Sequence, residues 1–83
     1  DDLSITFTPN PVADYLNVNI SEGRYTHCTA KIVNSRGEVV FQKNDFTLEK
    51  RMSIYCNQLA SGIYFLVLEN NQFKQIEKFI KTP

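Results

Sequence analysis

Leu59-Ala60-Ser61-Gly62-Ile63-Tyr64-Phe65-Leu66-Val67-Leu68 is the stretch that decides the fold. From Ile63 to Leu68 every residue is apolar, and β-branched and aromatic side chains dominate, as in a strand. Asn70-Asn71 follows, and Asn accepts positive φ better than most residues, so the pair predicts a tight hairpin turn. A second strand then runs from Lys74 to Lys81. Gly62 lets the chain turn sharply just ahead of Tyr64.

Outward from this hairpin the pattern is strict alternation. Leu3, Ile5 and Phe7 alternate with Ser4, Thr6 and Thr8; Leu16, Val18 and Ile20 with Asn17 and Asn19; Cys28, Ala30 and Ile32 with Thr29 and Lys31; Met52, Ile54 and Cys56 with Ser53 and Tyr55. Period two places one set on each face of a half-buried strand. No segment holds helical spacing for more than a turn. Ser21-Glu22-Gly23 reads as a break between strands, Asn34-Ser35-Arg36-Gly37 as a type I turn, and Pro9-Asn10-Pro11 as the end of the first strand, since proline cannot donate to a ladder. The expectation is an all-β, antiparallel sandwich of seven or eight short strands, near 3–8, 14–20, 25–34, 38–42, 46–48, 51–56, 63–69 and 73–81. Leu16, Val18, Ile32, Ile54, Leu59, Tyr64, Leu66 and Leu68 are its expected core.

The chain has 83 residues, enough for one domain, residues 1–83, with a thin core. Nine basic and nine acidic residues cancel, which argues against a nucleic-acid module. No stretch approaches the ~18 apolar residues of a membrane span. The chain opens on Asp1 without a signal peptide, so it is expected to be the excised end of a longer secreted protein.

Catalytic equipment is absent from the sequence pattern. His27 is the one histidine, and neighbouring strand residues point to opposite faces, so it diverges from Cys28. No metal-ligand set, phosphate loop or cofactor motif is present. The expectation is a non-enzyme with no catalytic residue, metal or cofactor. Cys28 and Cys56 are either two buried apolar thiols or, in an oxidising compartment, one disulfide.

Three features carry a structural and a functional reading side by side. Tyr64 is either a corner residue, its hydroxyl turned back to the backbone upstream as in immunoglobulin-like sandwiches, or a receptor contact. Ile63, Phe65 and Val67 are either covered by neighbouring strands and lysine stems or form an apolar docking patch. Lys74, Lys78 and Lys81 are either a solvated edge that discourages aggregation or a recognition strip.

Four elements occur in a telling order: Pro9-Asn10-Pro11 before the alternating strand to Val18, Ala30 to Val40 with Gly37 at its turn, Leu59-Ala-Ser-Gly62-Ile-Tyr64, and the lysine-bearing strand from Lys74 to Lys81. Together they resemble the C-terminal sorting domain of proteins exported by the type IX (Por) secretion system, across nearly the whole chain. The resemblance implies an immunoglobulin-like β-sandwich, in agreement with the strand reading. It also implies a role: a C-terminal secretion signal that directs its parent protein through the outer-membrane translocon and presents it to a sortase, which removes the domain and anchors the cargo at the surface. The partners implied are translocon and sortase components, with no nucleic acid and no small-molecule substrate. The locations implied are the periplasm in transit, then the outer-membrane surface or the extracellular space of a Gram-negative host. The sequence departs from the pattern at Cys28, at Cys56 and at Ala60, where proline is common. The alternative is an immunoglobulin- or fibronectin-like spacer or binding module of an extracellular enzyme or adhesin.

Overall fold

The computed structural model describes residues 5–8 and 12–83; Pro9, Asn10 and Pro11, singled out above, lie outside the described residues. Five antiparallel strands form one curled sheet: β1 (Ile5–Thr8), β2 (Tyr15–Asn34), β3 (Val39–Tyr55), β4 (Gly62–Glu69) and β5 (Lys74–Lys81). β3 runs along one edge of β2. The other edge of β2 is shared: its first half pairs with β1 and its second half with β4, which in turn carries β5.

The strand count is therefore five among the described residues, not seven or eight. The reason is that β2 and β3 bend without breaking. Straight, the 20 residues of β2 would extend ~66 Å at ~3.3 Å each. The longest dimension of the molecule is 34 Å, so the β2–β3 pair must fold over. It does so at interruptions of register. β2 advances from Asn19 to Arg24 while β3 moves only between Arg51 and Glu49. Further shifts follow between Tyr25 and Cys28, between Cys28 and Ala30, and between Ile32 and Val33. Such bulges bend a strand and sharpen its twist while its ladder continues on either side. Left-handed residues cluster there: Gly23 (φ 100°), His27 (55°), Asp45 (51°) and Lys50 (54°). Ser21-Glu22-Gly23, expected as a break, is thus the bend inside β2.

Folding over closes the inner face on itself. Val12, Leu16, Val18, Ile20, Cys28, Ala30, Ile32, Leu48, Ile54, Cys56, Tyr64, Leu66, Leu68 and Phe79 make one buried cluster. Seven of the eight expected core residues are in it; Leu59 is half-buried and packs against it.

The turns follow local chemistry. Gly37 N–H donates to the Asn34 carbonyl at 3.0 Å, Gly37 takes φ 87°, and the Asn34 side-chain oxygen accepts from the Arg36 and Glu38 amides, each at 3.0 Å. This is the expected type I turn, braced by its first residue. The β4–β5 turn differs from expectation. Neither Asn70 nor Asn71 has positive φ. Instead Asn70 closes the turn with its side-chain oxygen, which accepts from Gln72 N–H at 2.8 Å and Phe73 N–H at 3.1 Å. An Asx turn of this kind does the work that a left-handed backbone would otherwise do.

Tyr64 is the corner. Its hydroxyl donates to the Ala60 carbonyl at 2.6 Å, and its ring stacks on Phe79 with centroids 5.7 Å apart. Gly62, at φ 153°, lies where a side chain is rarely tolerated. Two stability predictions follow from this packing, both read by denaturant unfolding. Leu66→Ala removes a fully buried side chain and lowers stability by about 2–5 kcal/mol. Tyr64→Phe keeps the ring and loses one hydrogen bond, lowering stability by about 0.5–1.5 kcal/mol. An unchanged midpoint for Tyr64→Phe would show that the corner bond contributes nothing.

Candidate docking surface

The period of two sorts the side chains of β4 and β5. Tyr64, Leu66 and Leu68 enter the core, so Ile63, Phe65 and Val67 face outward. Register brings their partners onto the same face: Ile80 opposite Ile63, Lys78 opposite Phe65, Ile76 opposite Val67 and Lys74 opposite Glu69. On the other side of β4, Val33 of β2 faces Phe65 and is itself opposite Val39 of β3. An apolar band therefore crosses four strands on the outer face of the sheet.

This band is partly covered and partly open. Phe65, Val67 and Val33 are half-buried among their neighbours. Ile63 is 46 % exposed, Ile76 55 %, Ile80 45 % and Val39 50 %. For so small a domain this is a concentrated patch rather than scattered surface residues. Lys31 approaches Glu69 at 3.9 Å, whereas Lys74 and Lys78 are exposed and have no ion-pair partner among the described residues. The rim of the band is consequently positive.

Lys81 does not belong to it. Residues 74 and 78 share a parity and 81 has the other, so Lys81 turns to the inner side, where it is only 4 % exposed. Its ammonium donates to the Thr82 carbonyl at 2.6 Å. Beside it, Val12 N–H donates to the Ile80 carbonyl at 2.7 Å and Thr82 N–H to the Val12 carbonyl at 2.8 Å, the one parallel bridge among the described residues. Lys81 thus closes the end of the core and leaves a strip of two lysines. Ile76, Ile80, Val33 and Val39 were not singled out from sequence. Their signal is weak, because each is an ordinary apolar residue until pairing puts it on the outer face.

The remaining candidates are structural. Gly37, Gly62 and Tyr64 hold the turn and the corner described above. His27 is exposed, with Nδ1 2.7 Å from Asp45 Oδ1, joining two bulges across the bend; Cys28 beside it is buried. No metal-binding group of His, Cys, Asp or Glu occurs among the described residues. Among the described residues no helix is long and apolar enough to cross a membrane, a statement that leaves strands aside.

Cys28 and Cys56 are both buried and free. Burial pushes the Cys28 thiol above its ordinary value of 9.0, opposed by a backbone hydrogen bond at Leu48. Burial likewise raises Cys56, opposed by a backbone bond at Leu16 and by the Lys81 charge. A thiol whose folded value is raised adds stability below its unfolded value and loses it as pH rises, because only the unfolded chain then ionises. Iodoacetamide at pH 8 is therefore expected to label neither cysteine in the folded domain and both once denaturant is added, as read by mass spectrometry. Rapid labelling of the native protein would contradict the buried placement.

The family model described as secretion system C-terminal sorting domain matches residues 6–82. No curated protein sequence matches the chain significantly. The match begins in β1 and ends just beyond β5, so it takes in every strand, both turns, the tyrosine corner and the outer band together; the chain belongs to the C-terminal sorting domain family of the type IX secretion system.

Proposed function

We propose that the domain is a folded docking signal that carries its parent protein from the periplasm through the type IX outer-membrane translocon and presents it to a sortase, which releases the cargo for surface anchoring. Membership of the family supports the coarser part, a secretion signal that leads to the cell surface or the extracellular space. In this reading the domain performs no catalysis. The bent β2–β3 pair supplies the two layers of an immunoglobulin-like sandwich, and the translocon reads its outer face.

The observation that carries the docking face is the open apolar band between β4 and β5, with Ile63, Phe65 and Val67 opposite Ile80, Lys78 and Ile76. Burying such a band on a partner gives the affinity. Lys74 and Lys78 at its rim set orientation and encounter rate with an acidic counterpart, and their effect weakens with salt.

The test is export of a periplasmic passenger fused ahead of the domain in a type IX-competent host, scored at the cell surface. Lys74→Glu with Lys78→Glu is expected to melt within a few degrees of the wild type, since exposed substitutions rarely exceed ±0.5 kcal/mol, and to export poorly. Lys81→Glu is expected to act differently, lowering the melting temperature because it buries an unpaired carboxylate. A folded double variant that exports at the wild-type level would reduce the two lysines to a solvated edge. A wild-type domain that exports no passenger would return the assignment to a spacer module.

A further inference from the structure

The outer edge of β5 runs beside the band, and its backbone polarity is fixed by the bridge to Val12. Ile80 offers its carbonyl, and Thr82 its N–H, away from β4. The β4–β5 register is unbroken from Glu69↔Lys74 to Gly62↔Lys81. Backbone groups alternate sides along such a strand, so Lys74, Ile76 and Lys78 also direct N–H and C=O to that outer edge. Among the described residues only Val12 pairs there, at the far end beside Lys81.

We infer that the Lys74–Lys78 stretch of this edge of β5 takes up an extended segment of the secretion machinery as an added strand. The inference rests on the sorting function proposed above and names how the partner is held. Edge addition supplies main-chain hydrogen bonds, while alternate side chains choose the partner. The outward side chains of this stretch read Lys74, Ile76, Lys78, a charged–apolar alternation. The complementary strand carries carboxylates opposite the lysines and apolar residues between them. The same lysines keep two copies of the domain from pairing edge to edge, because like charges would meet. One feature thus rejects self-association and selects an acidic strand.

Proline separates the edge from the face. At an edge position whose N–H points away from its neighbour, proline removes a donor that the β4–β5 ladder does not use. Ile76→Pro is therefore compared with Ile76→Ala, which loses the same side chain and keeps the amide. Both are expected to fold, judged by thermal melting. Surface export of the passenger is expected to fall about two- to tenfold for proline relative to alanine, the scale of one lost hydrogen bond. Export of Ile76→Pro at the Ile76→Ala level would overturn strand addition while wild-type export still upholds the sorting function. Absence of wild-type export would remove both.

Should Ile76→Pro fail to fold, hydrogen exchange on the wild-type domain decides. The Ile76 and Lys78 amides are expected to exchange quickly in the free domain and at least about tenfold more slowly on detergent-solubilised type IX outer-membrane complex. Unchanged exchange at both amides in the bound domain would overturn the inference.

Discussion

Everything in this molecule hangs on the bend in β2. One strand gives its first half to β1 and its second half to β4, so a single sheet must close over its own inner face. That is possible only if the backbone turns without surrendering its ladder, and the bulges around Gly23, His27, Asp45 and Lys50 provide the turn. Non-glycine residues at positive φ are energetically costly. Three of them cluster here, and the His27–Asp45 contact ties the two strands together where the ladder slips. A free edge would result from breaking the strands; bulges instead keep the β2–β3 pairing alive through the corner.

The same geometry explains what the sequence did and did not disclose. Alternation identified the inner set on β2 because period two survives within each straight piece, Leu16 and Val18 before the bend and Ile32 after it; on the all-apolar β4 the parity of Tyr64 placed Leu66 and Leu68 with it. At the bend the inward parity changes, from Ile20 to Tyr25 and again to Cys28, and alternation there looks like a turn. A glycine and a serine at that point strengthen the illusion. Five strands were therefore read as more, although their segments lay in nearly the right places. Tyr64 was legible because the corner needs only local chemistry, a glycine and a hydroxyl four residues from its acceptor.

The candidate surface was half legible. An unbroken apolar run announces that β4 has no polar face, so Ile63, Phe65 and Val67 had to be either covered or open. Which partners share that face is a matter of register, and register is a long-range property. Hence Val33 and Val39, far off in sequence, join the band, whereas Lys81, near in sequence to Lys78, leaves it for the inner side. Counting parity along β5 would have removed Lys81; nothing local would have added Val39. Cys56 and Lys81 meet at the same closed end, where Val12 also seats, so the end of β5 belongs to the core as much as to the sheet.

No short peptide could form the outer band. The outer band takes Val39, Val33 and Phe65 from three strands and Lys78 from a fourth, and no contiguous segment contains them. Only the closed sheet brings them side by side, so under the docking proposed above recognition of the band would also test that the chain has folded. The coupling is steep because small domains are stable by only about 5–15 kcal/mol. Loss of one core side chain such as Leu66 consumes a large part of that margin without touching the outer face. Core and surface are therefore coupled through the single bend that makes one face inner and the other outer.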